Sequence, residues 1–321
     1  MNYKKALFLI NRKMAEIHYP HQPKTLYESI NYILSMEGKK IRAILTLMAC
    51  HLFQENIKPA INTALAWEIF HNFTLIHDDI MDNATLRRGN PTIHAKWNKT
   101  VALLSGDSML ILAYKYIAKS PKQYRDILLK LFSFTATKVC EGQMYDVLFE
   151  NRSNILKKEY LNLIHLKTAT LLSACLYSGA IIGNANKQDA KILKIFGVNL
   201  GIAFQIQDDV LDTYGNSSFG EKISNDIISN KKTYLLISAL NSSNKIERDE
   251  LLFWLNEKEQ KEKKVTSIIN LYNKMKIKEK ADKTIKNYYN KALDCLNTIN
   301  IKEEKKNILI DFTNQLKNRK F

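Results

Sequence analysis

The sequence is poor in the residues that interrupt or staple a chain. Ten glycines and five prolines in 321 residues are few. The prolines stand at 20, 23, 59, 91 and 121, which leaves the whole second half without one. Long uninterrupted helices are the expectation. Four cysteines, Cys50, Cys140, Cys175 and Cys295, have no short metal-ligand spacing, and the seven histidines form no zinc pattern. A chain that is 45% apolar and 25% charged needs neither metal nor disulfide to build a core. A reduced, cytoplasmic setting is expected. Long apolar runs are missing too. The stretch LLSACLYSGAIIG at 171 to 183 is too short to span a bilayer, and MNYKKALFLINRK at the start has no small-residue cleavage pattern. Neither a membrane helix nor a signal peptide is expected.

Acidic residues are in deficit: 48 Lys and Arg face 32 Asp and Glu, for a net charge of +16. Such a balance suits nucleic acid, a membrane surface or a polyanionic substrate. Much of it falls in EKEQKEKKVTSIINLYNKMKIKEKADKTIK at 257 to 286, where lysine alternates with glutamate as on solvated helix faces. No zinc-finger spacing and no aromatic RNA-binding signature accompanies it, so nucleic acid is not an expected partner.

What the chain does contain is helical periodicity. Apolar residues recur at spacings of three and four over 25–36, 40–53, 60–80, 100–117, 123–149, 157–182, 188–212 and 231–241. No sustained alternation argues for a sheet. The fold class is all-α. ALAWEIFHNFTLIH and KIFGVNLGIAFQIQ are apolar on more than one face, which places them at the centre of a bundle. Polar connections are expected at 84–95 and 214–230. No linker of changed composition appears, so 1–321 reads as a single domain.

Chemistry concentrates in HNFTLIHDDIMDNATLRRGNPTIH at 71 to 94. Asp78 and Asp82 are four apart, on one face of a helix, with Asp79 beside them. Asp208, Asp209 and Asp212 repeat the arrangement in FQIQDDVLD. Crowded carboxylates repel unless cations neutralise them. Mg²⁺ does so with oxygen ligands, favouring a few carboxylates plus waters and phosphate oxygens. GKKIR puts Lys39 and Arg42 three apart, expected on one helix face, and Arg87 and Arg88 follow the first aspartates. Guanidinium groups grip phosphate oxygens in pairs, while lysine acts as a mobile charge. His71, seven residues before Asp78, is either a core histidine or a donor to a substrate phosphate.

Assembled, these residues resemble the trans-isoprenyl diphosphate synthase family, which includes farnesyl and geranylgeranyl diphosphate synthases. The resemblance runs through LYESINYILSMEGKKIRAILTLMACHLF, HDDIMDNATLRRGNPTIH, HLKTATLLSACLYSG, GIAFQIQDDVLDTYG and NDIISNKKTYL, nearly the entire chain. It implies an orthogonal helical bundle around a deep cavity. The implied activity is head-to-tail condensation of isopentenyl diphosphate with an allylic diphosphate. The implied cofactor is Mg²⁺, three ions once the allylic diphosphate is bound. By resemblance Asp78, Asp82 and Asp208 are the more direct metal ligands, joined by Asp79 and Asp212. Arg87 matches a contact to the allylic diphosphate. Arg88, Lys39, Arg42 and His71 match the isopentenyl diphosphate site. Lys167, Thr168, Gln205 and Lys231 match residues near the allylic substrate. Phe73, five residues before the first motif, matches a gate on product length, with Thr74 beside it and Phe70 one turn away. That pattern implies geranylgeranyl diphosphate, with farnesyl diphosphate or a somewhat longer chain as the alternatives. A homodimer is implied, as is transient contact with a membrane surface but no anchor. A class I terpene cyclase and a weak partner subunit of a heteromeric synthase are the rival readings; the complete second cluster opposes both.

The chain departs from the family pattern in places. EGKKIRA stands where relatives commonly read GGKRxRP, so Glu37, Lys40 and Ala43 replace Gly, Arg and Pro. In GEKISNDIISNKKTYL, Glu221, Ser224, Asn230 and Leu235 replace Lys, two Gly and Pro, while Asp226, Lys231 and Thr233 remain.

Overall fold

A computed structural model describes residues 1–215 and 224–319. Glu221, one of the departures, lies outside them. The described chain is built of helices: α1 (Tyr3–Ala15), α2 (Lys24–Ser35), α3 (Ile41–Phe53) and α4 (Ile61–Met81) lead to a hairpin, β1 (Leu86–Arg87) and β2 (Asn90–Pro91). Then come α5 (Ile93–Lys96), α6 (Lys99–Ala118), α7 (Arg125–Glu150), α8 (Lys157–Ile164), a π-helical turn (His165–Ala169) and α9 (Thr170–Ile182). The rest is α10 (Lys187–Tyr214), α11 (Asn225–Ile228), α12 (Tyr234–Ser242), α13 (Lys245–Asn256), α14 (Lys261–Lys274), α15 (Ile277–Asn297) and α16 (Glu303–Lys317).

The chain divides into two compact units. The first holds Met1–Phe134, Ala174–Lys194 and Asn300–Leu309; the second holds Thr135–Ser173, Ile195–Ile299 and Ile310–Phe321. Four of the five boundaries fall inside α7, α9, α10 and α16, and the fifth lies between α15 and α16.

In the first unit α4 packs on α3 and α6, and α6 also meets α2 and α5. The apolar character of α4 on several faces is explained by this double packing. Trp67 is fully buried, stacks on Phe132 with ring centroids 5.0 Å apart, and donates its indole N–H to Ser178 Oγ at 2.9 Å. Each such buried aromatic or aliphatic side chain contributes about 1.5–3 kcal/mol. α6 is long and apolar enough, by length and composition alone, to cross a membrane. One face of it lies on α4, and Leu103, Leu104 and Ile111 remain exposed on the other.

In the second unit α12 packs on α8 and α15, and α14 on α11, α13 and α15. Tyr289, fully buried, donates its hydroxyl to Gln207 Oε1 at 2.7 Å, which ties α15 to α10. Cys50 and Cys175 are buried and none of the four cysteines is paired.

Several expected boundaries move for identifiable reasons. The 157–182 helix contains the π-helical turn. The polar stretch 84–95 holds a hairpin and α5 rather than plain loop, and 214–230 contains α11. The helix expected from 231 begins at Tyr234, because Thr233 caps it: its Oγ1 accepts the Leu236 N–H at 3.2 Å.

Candidate active site

The first aspartates sit where α4 stops. Asn83 takes a left-handed φ of 48°, its N–H bonds Ile80 O and the Ala84 N–H reaches back to Asp79 O. This is a Schellman closure with asparagine in the place glycine usually fills. It leaves Asp82 exposed at the helix end, Asp78 half-buried, and Asp79 2% exposed. The chain then turns through Arg88 and Gly89, both at positive φ, as a two-residue hairpin requires. That turn points Arg87 back at the motif. Its Nε donates to both Asp79 oxygens at 2.8 and 2.9 Å and its Nη2 to Oδ1 at 2.6 Å. Burial pushes the Asp79 carboxyl up, and the Arg87 fork offsets part of that rise. For Arg87 burial pulls down, but Asp79 outweighs it and the guanidinium pKa is raised.

Arg88 faces the other way and donates Nη1 to Glu37 O at 3.0 Å. A Cβ on Gly38 would lie 2.5 Å from that Nη1, so a small residue there lets the guanidinium in. His71 is half-buried one element away on α4. Its pKa is held well below the ordinary value, first by desolvation and then by the charges of Arg42, Arg88, Arg87 and Lys40. The imidazole is therefore neutral at pH 7 and able to donate one N–H. Lys39 and Arg42 do not share a helix face as expected. α3 starts only at Ile41, after Lys40 in the left-handed region, so Lys39 is exposed ahead of the helix and Arg42 is in its first turn. Lys40 instead turns inward and donates to Leu34 O and Met36 O, both at 3.3 Å.

Below the first motif, Phe73 is 7% exposed and packs on Phe70 and His77, with centroids at 5.6 and 4.8 Å. Phe70 is fully buried against Trp67 and Phe132. Thr74 donates its hydroxyl to His71 O at 2.7 Å.

The second unit carries the other motif. Asp209 is 4% exposed and is tied from three elements: Tyr160 OH and the Tyr234 N–H (2.7 Å) donate to Oδ2, and Gln205 Nε2 donates to Oδ1 at 3.3 Å. Burial is the main reason its carboxyl is pushed up to about 6. Asp208 is more open and pairs with Arg319 Nη2 at 2.5 Å. Arg319 also lies 3.8 Å over the Phe204 ring and donates to Phe204 O at 3.0 Å. Asp212 Oδ2 accepts the Asp226 N–H at 3.1 Å. The influence runs one way: Asp212 is shifted up by burial, which the Asp226 N–H partly offsets, whereas Asp226 reaches about 8 through burial and then the charges of Asp212 and Asp209. Lys231, whose N–H bonds Asp226 O at 2.8 Å, works against both rises.

The π-helical turn holds Lys167 and Thr168. Lys167 Nζ donates to Asp146 Oδ2 at 2.6 Å, and Thr168 Oγ1 to Gln205 Oε1 at 2.9 Å. A Cβ on Gly142 would come within 2.4 Å of Lys167 N, and one on Gly201 within 2.4 Å of Ala169 Cα. The turn is thus gripped between α7 and α10 by two glycines.

Among the described residues no three His, Cys, Asp or Glu side chains stand as a ready-made metal site. The donor set nevertheless suits a hard divalent ion. It is all carboxylate oxygen, and the Asp212–Asp226 pair takes either a proton or a cation to lie at ease. Four residues escaped the reading of the sequence: Glu68, Asp146, Tyr160 and Arg319. The run EGQMYD, which ends in Asp146, was the one signal available for the second of them.

With this geometry in place the comparisons are decisive. The family model described as Polyprenyl synthetase matches residues 23–272. The chain belongs to that family. A short chain isoprenyl diphosphate synthase of Methanocaldococcus jannaschii is 36% identical over 256 residues, 79% of this chain and 78% of its own. A geranylgeranyl diphosphate synthase of Saccharolobus solfataricus is 36% identical over 281 residues, 86% of this chain and 84% of its own. The crystal structure of a geranylgeranyl pyrophosphate synthase superposes with a TM-score of 0.94 at 38% identity, covering 100% of both chains. As a polyprenyl synthetase the chain has the all-α fold its periodicity announces.

Proposed function

We propose that this polyprenyl synthetase is a trans-prenyltransferase that adds isopentenyl diphosphate head-to-tail to an allylic diphosphate, with geranylgeranyl diphosphate as product. The observation that carries the reading is the end of α4. There, three aspartates follow, two turns further along the helix, a neutral His71 that feels the charges of Arg42, Arg88, Arg87 and Lys40. One face of that arrangement asks for cations and the other for a polyanion, as a metal-bound diphosphate and a second, metal-free one require. Relatives bearing the geranylgeranyl name support the product, as does the bulky Phe73 with Phe70 packed behind it.

In this reading Asp78, Asp82 and Asp208, with Asp79 and Asp212, would hold Mg²⁺, which would draw charge from the leaving diphosphate and ease its departure. Arg87, preset by its fork on Asp79, contacts the allylic diphosphate, and Lys167 and Lys231 hold it with their ammonium groups. Lys39, Arg42, Arg88 and the His71 N–H bind isopentenyl diphosphate. The allylic C–O bond breaks with its electron pair leaving on the diphosphate. The double bond of isopentenyl diphosphate forms the new C–C bond, and the released diphosphate takes the proton whose loss restores a double bond. Thr168 and Gln205, joined by a hydrogen bond, steady the π-helical turn whose loosened carbonyls favour the passing cation. Apolar helix faces keep out the water that would quench it. A single domain over 1–321, a homodimer, a cytoplasmic setting and transient membrane-surface contact belong to the same proposal.

The test is direct. Purified protein is incubated with Mg²⁺, labelled isopentenyl diphosphate and C5, C10 or C15 allylic diphosphate in turn, and the hydrolysed products are resolved by length. A terminal C20 product that disappears without Mg²⁺ is expected. A terminal C15 product overturns the length assignment, and no elongation from any primer overturns the reaction.

A further inference from the structure

One buried carboxylate has no part in the reaction as proposed. Glu68 lies on α4, 2% exposed, and its Oε2 accepts the backbone N–H of Ala43 at 3.2 Å. α3 has need of that acceptor. It is entered from Lys40 in the left-handed region and has no side-chain cap of its own, so the N–H groups of its first turn depend on outside partners. A carboxylate at a helix N-terminus is well placed for this, because the helix dipole favours negative charge there.

The turn tied down in this way carries the basic residues. Lys39 and Lys40 lead into it and Arg42 is its second residue. Burial depresses the pKa of Lys40 and of Arg88, and in both cases the charge of Glu68 is the largest influence acting in the opposite sense. Arg88 is held from its other side by Glu37 O. Glu68 therefore touches the backbone that presents two of the cations and steadies a third. The resemblance puts proline where this chain has Ala43. Proline has no N–H. The tie exists here because of that departure.

We infer that Glu68 is a positioning residue for isopentenyl diphosphate: through the Ala43 N–H it fixes the first turn of α3 and so sets Lys39 and Arg42 against His71 and Arg88. The inference rests on the reading of those four residues as the isopentenyl diphosphate site. It also makes the hydrogen bond, rather than the charge, the element that fixes geometry.

Three single variants and one double variant separate these roles in steady-state kinetics of the full chain with Mg²⁺. Glu68→Gln keeps an acceptor of the same reach, and its KM for isopentenyl diphosphate stays within about threefold of wild type. Glu68→Ala raises that KM by about tenfold or more, the cost of leaving the buried Ala43 N–H without its acceptor, while kcat and the allylic KM move less than about twofold. Ala43→Pro deletes the donor at a first-turn position where no helical bond is lost, and raises the same KM. The Glu68→Ala/Ala43→Pro pair is no worse than the poorer single variant, because both remove one bond.

An unchanged isopentenyl diphosphate KM in folded Glu68→Ala overturns the inference, as does an equal rise in both KM values. If Glu68→Ala does not fold, Ala43→Pro and Glu68→Gln decide. A folded Ala43→Pro with wild-type KM, or a Glu68→Gln as impaired as Ala43→Pro, overturns it. A wild-type chain that elongates nothing overturns the proposed reaction instead. Calorimetric binding of isopentenyl diphosphate to wild type and Ala43→Pro then reads the same contrast without turnover.

Discussion

Asp79 is buried and holds Arg87 through three short contacts, so truncating the arginine alone strands a charge away from water. Arg87→Ala is expected to destabilise the chain by about 3–5 kcal/mol. Asp79→Ala/Arg87→Ala should cost less than Arg87→Ala, and thermal denaturation of the set reads the difference. Asp226 makes a prediction of the opposite character. Its carboxyl is pushed up to about 8 in the folded chain, while an unfolded aspartate titrates near about 3.9. The folded state therefore binds the extra proton between those values, and stability falls as pH rises through that window and levels off above it. Asp226→Asn stays neutral throughout. In EDTA, its melting temperature should exceed the wild-type value by a margin that grows from pH 4 to pH 8 and then stays constant. A margin that shrinks over the same range contradicts this account of the Asp212–Asp226 pair.

The helical elements have their own lesson in the π-helical turn. Gly142 on α7 and Gly201 on α10 face its backbone at distances no side chain tolerates. Gly142→Ala must push that turn away, at a cost of about 1–3 kcal/mol for overpacking. Lys167 moves with it, so the allylic KM should rise more than the isopentenyl one in kinetics matched to a melting curve. The helices from α2 to α4, α6 to α10 and α12 were legible beforehand as apolar periodicity, whereas α1 and α13 to α16 were not assigned, because their charged, solvated faces blur that periodicity. The π-helical turn was legible only through the family resemblance, which implies a helix kink at Lys167 and Thr168; HLKTA by itself has the composition of ordinary helix. β1 and β2 escaped for a simpler reason: two residues cannot show alternation. Of the site, the two aspartate triplets stood out as charge at the end of apolar runs. Glu68, Asp146 and Tyr160 did not, because a single polar residue within an apolar helix looks the same whether or not a partner awaits it. Tyr160 meets Asp209 across 49 positions of sequence. No local pattern encodes such a pairing.

For the molecule as a whole, the exposed apolar residues of the first unit ask to be covered. Leu104 and Ile111 are seven apart on α6, and Ile127 and Phe134 are seven apart on α7, each between 42% and 58% exposed. A spacing of seven keeps both members of a pair on one face. A second copy of the chain, buried on this face, accounts for them under the homodimer proposal. Leu104→Glu/Ile111→Glu should convert a particle of twice 37.1 kDa into one of 37.1 kDa, read by light scattering coupled to gel filtration. A wild type already at 37.1 kDa sinks the proposal.

Asp208 and Asp209 are neighbours in sequence and opposites in employment. One pairs with Arg319 at a partly open position; the other joins α8, α10 and α12 through its carboxylate. In a library of every substitution, scored separately for the amount of protein in the cell and for turnover per molecule, the two positions should part company. Variants at 208 should accumulate normally and do little, whereas variants at 209 should be scarce. The middle aspartate of the motif would then register in a genetic screen as a folding residue.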